Sequence, residues 1–175
     1  MGTKVIPLLL IIFAVSMRLL PHPANFAPIT AISIFAGVYL NKKLAFTILL
    51  ASLLISDLFL GFYGLEMLLV YGSFILVILI GEKIKKHKNI LTIFLGAIAG
   101  SILFYLITNF GVWALTSMYP KDFSGLLQSY IAAIPFYRNS LLGDLFYTGI
   151  FFGGYELIKI LSKKILDKKY QQILF

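Results

Sequence analysis

The chain has 175 residues, 60% of them hydrophobic and 13% charged, where soluble domains carry about 25% charged residues. So little polar side chain cannot cover a water-exposed surface, which excludes an ordinary soluble domain and leaves a bilayer protein. Fifteen Lys and Arg against seven Asp and Glu give a formal charge of +8. These basic residues sit in short clusters between apolar runs, so anionic lipid headgroups, and not nucleic acid, are their expected partners. There is no cysteine, which removes disulfides, thiolate metal sites and cysteine nucleophiles.

Crossing a hydrocarbon core about 30 Å thick takes roughly 20 helical residues. Six apolar segments approach that length, at 5–20, 28–40, 44–62, 67–81, 90–119 and 140–161. The expected fold is therefore all-α, a single domain over 1–175 built as a bundle of six transmembrane helices. The second segment is short and follows the turn-rich run Pro21-His22-Pro23-Ala24-Asn25-Phe26, where two prolines and an asparagine oppose a continuous helix. The fifth exceeds a perpendicular span, so it must tilt, break near Asn109–Gly111 or project beyond the membrane. No repeat or Gly/Ser linker interrupts the series.

Orientation follows from basic residues, which concentrate in cytoplasmic loops. With both termini cytoplasmic, that side receives Lys4, Lys42, Lys43, Lys83, Lys85, Lys86, Lys88, Lys159, Lys163, Lys164, Lys168 and Lys169; the other receives only Arg18, Lys121 and Arg138. A re-entrant second segment would invert every later loop. A seventh span at 123–136 would put the C-terminal lysines outside. Segment 123–136 is therefore expected to be an external interfacial helix or a partly re-entrant loop. A cleavable leader competes for the N terminus, because Lys4 precedes an apolar stretch and Ala14-Val15-Ser16 has small residues at cleavage-like spacing. Removing it would leave an odd number of spans and spoil the charge asymmetry.

This topology gathers polar residues on the outer side. Asp57, Asn109 and Asp144 fall in or just beyond outer span ends, and the loops add Arg18, His22, Asn25, Trp113, Arg138 and Asn139. A charge inside a membrane helix costs at least about 2.5 kcal/mol on insertion scales unless it faces a partner or water. Asp57 and Asp144 are therefore expected to face the bundle interior or an outer mouth, and the set as a whole suggests a polar cavity walled by apolar helices. Plainer roles exist for each residue. The aspartates can be counter-ions for Arg18 and Arg138, His22 a loop residue, and Trp113 an anchor in the aromatic belt. Asn109 needs an amide partner within the membrane, either freed backbone at Gly111 or a ligand.

Small residues recur four apart at Ala27/Ala31, Gly96/Gly100 and Gly149/Gly153, spacings that allow close helix contact within the bundle or with a partner. No hydrolase elbow, metalloprotease helix or phosphate loop is present, and two histidines offer little to a metal. Asp57 and Asp144, both expected at outer helix ends, do not make a mid-membrane protease dyad. An enzyme is not expected, nor is a cofactor.

Four runs carry a resemblance: Arg18-Leu19-Leu20-Pro21-His22-Pro23-Ala24-Asn25-Phe26-Ala27-Pro28, Ser56-Asp57-Leu58-Phe59-Leu60-Gly61, Thr108-Asn109-Phe110-Gly111-Val112-Trp113, and Ala133-Ile134-Pro135-Phe136-Tyr137-Arg138-Asn139-Ser140-Leu141-Leu142-Gly143-Asp144. They look like those of a family of small, largely uncharacterised bacterial membrane proteins, which in turn resembles the substrate-binding S components of energy-coupling factor (ECF) transporters. The resemblance implies a protein of the prokaryotic cell membrane that captures a vitamin or similar micronutrient at its outer face. It further implies docking onto a membrane coupling subunit with two ATPases. S components commonly dock through an Ala-x-x-x-Ala face in the first helix, and segment 5–20 has no such pair. The implied ligand contacts are Arg18, His22, Asn25, Asp57, Asn109, Trp113, Arg138, Asn139 and Asp144, with the arginines as forked donors and Trp113 stacking on a ring. Ion-coupled secondary transport and a non-transporting structural or assembly role are the alternatives.

Overall fold

The computed structural model describes the backbone of residues 2–174 and the side chains of residues 7–163. Among the described residues the chain is all helical. In order come α1 (Gly2–Leu19), α2 (Ile29–Tyr39), α3 (Lys42–Leu60), α4 (Glu66–Ile84) with a 3-10 turn at Lys85–His87, α5 (Ile90–Leu115), α6 (Phe123–Ala132) and α7 (Ile134–Leu174). Three helical stretches are long and apolar enough to cross a membrane: Lys42–Leu60, Glu66–His87 and Ile90–Leu115. Pro7–Leu19 and Ile29–Tyr39 are shorter apolar helices.

The shortest of the apolar helices lies at the centre. Every residue of α2 from Ile29 to Val38 is buried, as expected of a helix that is apolar all round. It packs on α4, α7, α3 and α5. Its crossing with α4 is backbone to backbone: a Cβ on Gly37 would stand 2.4 Å from the Ile78 carbonyl oxygen, and one on Gly81 would stand 2.6 Å from that of Ile34. No larger residue fits at either position, and the contact is of the kind small residues make possible between membrane helices. The remaining helices bury one stripe each. In α3 the stripe is Ala45, Ile48, Leu49, Ser52, Leu53, Ser56 and Asp57, while Leu54, Leu58 and Phe59 on its other side are exposed. Exposed apolar faces of this extent mark membrane or protein contact surfaces.

Helix ends are set by local chemistry. Asn41 accepts from the Leu44 amide at the start of α3, and Asn89 and Thr92 form a reciprocal capping box on α5, each satisfying orphan amides of a first turn. The Asp122 carboxylate does the same for α6 through the Gly125 amide at 2.8 Å. Lys121 donates to the Trp113 and Thr116 carbonyls at the end of α5, a cation at the negative end of a helix.

Several sequence expectations change here. The fifth helix does not break at Asn109–Gly111 but runs unbroken to Leu115; at 1.5 Å per residue its 26 residues reach about 39 Å. Segment 123–136 is not one element: α6 ends at Ala132, and α7 starts at Ile134, six residues before the expected 140. Pro135 occupies the first turn of α7, where the missing N–H has no helical partner to lose, so the proline starts this helix instead of delaying it.

Lys42, Lys85 and Lys88 meet at one end of the bundle, through ion pairs of Lys42 with Glu82 (3.6 Å) and of Lys88 with Glu156 (3.2 Å) and a bond from Lys85 to the Leu40 carbonyl. The side chains of Lys4, Lys164, Lys168 and Lys169 lie outside the described residues. Arg18 and Lys121 belong to loops and helix ends at the opposite end.

Candidate functional site

At the end opposite the lysine clusters, the first loop folds over the bundle. Asn25 takes a left-handed backbone (φ 64°), a conformation asparagine tolerates better than most residues, and the Phe26 amide closes the turn on the Pro23 carbonyl. The next residue packs tightly. A Cβ on Gly143 would lie 3.2 Å from the Phe26 Cα, so glycine before Asp144 is what lets this loop sit against α7.

Beneath the loop is a cavity of about 260 Å³, lined among others by Arg18, Asn25, Thr30, Tyr63, Ser140 and Asp144, with Phe74 and Phe104 on its apolar wall. Those two rings stack at 4.8 Å with 27° between their planes. A second cavity of about 230 Å³, lined by Tyr105, Thr108, Asn109, Phe136 and Tyr137, shares Asn25, Phe104 and Ser140 with the first.

The two aspartates have different settings. Asp57, fully buried, receives Arg18 Nη2 at 2.8 Å on one carboxylate oxygen and the Tyr71 hydroxyl at 2.7 Å on the other. Arg18 Nη1 also donates to Ser56 Oγ and to the Leu53 carbonyl. The guanidinium is thereby fixed to the end of α3, with its side chain 15% exposed toward the cavity. Tyr63, in the α3–α4 loop, completes this rim; burial raises its phenol above the ordinary value, and the Asp57 charge adds to the rise.

Asp144 is 3% exposed. It accepts from Ser101 Oγ at 2.5 Å, with Thr30 alongside. No cation pairs with it among the described residues. Gly100 makes this arrangement possible, because a Cβ there would come within 2.9 Å of the Thr30 methyl. Its depth differs from the expectation of an outer helix end. Because α7 starts at Ile134, Asp144 is already three turns into the helix, level with Ser101 near the middle of α5.

The other expected contacts divide. Asn109 lines the second cavity but gives its amide to the Tyr105 carbonyl one turn back, at 2.7 Å, so neither a helix break nor a ligand is needed to satisfy it. His22 faces the Leu20 carbonyl, 2.6 Å from Nδ1. Trp113 donates to the Pro120 carbonyl at 2.9 Å and packs on Phe110. Trp113, Arg138 and Asn139 line neither cavity; Arg138 is exposed and forms no ion pair among the described residues, so the pairing of Asp144 with Arg138 is not made. Ser56, Tyr71, Thr30, Ser101 and Ser140 were not singled out from sequence. Their signal, single hydroxyls inside apolar helices, is common in any membrane span.

The small-residue pairs also divide. Gly96 and Gly100 meet Ile84, Val77 and Thr30 inside the bundle, and Ala31 is fully buried, so these faces serve internal packing. Gly149 and Gly153 meet almost nothing and border an apolar cavity of about 450 Å³ at the lysine end, beside Tyr39 and Lys88. There Lys88 donates to the Tyr39 hydroxyl, and that bond raises its pKa above the ordinary lysine value.

Fold and site together define an all-helical bundle of membrane-length apolar helices with a polar cavity buried at one end. The chain belongs to a family of unknown function (DUF6580), which matches residues 2–166. No curated protein and no solved structure matches it.

Proposed function

We propose that this chain is a multi-pass protein of the prokaryotic cell membrane that captures a small molecule from the extracytoplasmic side. In this reading α1 to α5 and α7 are six spans, α6 lies at the outer interface and the lysine clusters face the cytoplasm. The ligand is a vitamin or similar micronutrient, held as in the S components of ECF transporters. A coupling subunit with two ATPases would energise its release inside. One observation carries the proposal: the cavity under the 20–28 loop, where Arg18, Asn25, Thr30, Ser140 and Asp144 converge on an aromatic wall. A concave, mostly apolar site with a few convergent polar groups is the usual form of a small-molecule site.

Native mass spectrometry of the gently purified chain tests this. The wild type is expected to retain a small-molecule adduct that is lost in Ser140→Phe, which fills the space both cavities share. An adduct-free wild type, or an equal adduct on both, would count against capture in this cavity. Co-purifying ATPase subunits would support the coupling module.

The depth of Asp144 also favours a second reading, an ion-coupled carrier, since a carboxylate held by hydroxyls in mid-bundle can exchange a proton or a sodium ion. Uptake that stops when the ion gradients collapse while ATP is maintained selects that reading.

A further inference from the structure

The two carboxyl groups beside the cavity are not equally partnered. Arg18 and Asp57 neutralise one another at 2.8 Å, and Tyr71 takes the remaining Asp57 oxygen. Asp144 has only the hydroxyl of Ser101 as a hydrogen-bond donor at short range, with Thr30 beside it. Hydroxyls orient a carboxylate but do not cancel its charge, and buried charges are ordinarily paired. The wall next to it is aromatic: Phe74 and Phe104 stack there and Tyr63 closes the rim. A carboxylate beside aromatic faces is the setting that favours a cationic nitrogen, attracted both by the charge and by the ring quadrupoles.

Arg18 sets the other end. Its guanidinium carries five N–H groups, and the bonds to Leu53, Ser56 and Asp57 leave donors over on a side chain that lines the same cavity. Asn25 and Ser140 add further polar groups. These suit a carbonyl or carboxylate oxygen. A volume of about 260 Å³ is far more than a bare metal ion requires, and the adjoining cavity gives a longer ligand room to extend.

We propose that Asp144 is the counter-ion for a cationic nitrogen of the ligand, so that the cavity selects small aromatic or heterocyclic ammonium and amidinium compounds over neutral and anionic ones. The inference rests on the small-molecule reading of this cavity. It adds what that reading leaves open, the charge of the ligand.

Four ring compounds of similar size test it on the full purified chain in detergent: benzylamine and benzamidine as cations, benzyl alcohol as the neutral form, benzoate as the anion. Affinities are read by ligand-observed NMR and thermal shift in a sodium-free buffer. The cations are expected to bind about tenfold or more tightly than benzyl alcohol, the advantage of a charge-assisted hydrogen bond, and benzoate more weakly still. Asp144→Asn should abolish the preference while benzyl alcohol binding persists. The ranking in the wild type needs no variant, so a poorly folding Asp144→Asn does not prevent the test. Equal binding of all four, or a preference for benzoate, overturns the proposal and leaves small-molecule capture standing. Stabilisation by added sodium alone, with no response to any ring compound, overturns it in favour of an inorganic cation site. If no probe binds, the proposal fails, and an adduct-free wild type in native mass spectrometry then removes the capture reading as well.

Discussion

The two ends of the bundle use the same kinds of charged residues to different effect. At the lysine end, Lys42–Glu82 and Lys88–Glu156 span 3.6 and 3.2 Å with side chains between 30% and 59% exposed, so water and salt screen both pairs. At the opposite end Arg18–Asp57 is closer, at 2.8 Å, with the carboxylate wholly buried and its second oxygen taken by Tyr71. Exposed pairs contribute about 0–1 kcal/mol. Breaking a buried pair by removing one partner costs about 3–5 kcal/mol, because the other charge is left unmatched. The difference lies in burial: the lysine pairs sit in water, whereas the Arg18–Asp57 pair fixes the end of α1 to the end of α3 beside the cavity.

Three substitutions can break that contrast. Asp57→Ala leaves the partly buried Arg18 without its anion and should cost about 3–5 kcal/mol, seen as a large fall in the detergent melting temperature and loss of any retained ligand. Tyr71→Phe removes one hydroxyl from the same carboxylate and should cost about 1–2 kcal/mol, with the fold retained. Glu82→Gln at the lysine end should change stability by less than about 1 kcal/mol, and that small effect should shrink further with added salt. Similar losses for Asp57→Ala and Glu82→Gln would mean that burial does not separate the two ends.

Much of this organisation could be read from sequence, because apolar runs and lysine clusters are long-range signals that individual contacts do not disturb. The boundaries of α2 and α3 fall within two residues of the expected spans. The Arg18–Asp57 pair was one of the pairings the sequence allowed, since both residues end helices that lead toward the same side. What sequence could not supply was depth and partner choice. The sixth span is expected from 140, yet with Pro135 in its first turn α7 starts at Ile134, and Asp144 lies level with Ser101 in mid-helix instead of at the rim. Asn109 looks as if it needs freed backbone at Gly111 or a ligand, yet it is satisfied one turn back along its own helix. The backbone-to-backbone helix crossing of Gly37 on Gly81 has no glycine pair spaced four apart to announce it, while Gly149 and Gly153 have that spacing and pack on almost nothing.

In the proposed topology the two ends face different solutions and the cavity opens away from the cytoplasm. Because the chain has no cysteine, single-cysteine labelling tests this with no background to remove. In intact cells treated with a membrane-impermeant maleimide, Ala24→Cys, beside the cavity loop, is predicted to label fully. Lys86→Cys should label only after the membrane is opened. Labelling of Lys86→Cys in intact cells, with Ala24→Cys protected until lysis, would invert the molecule and contradict the account.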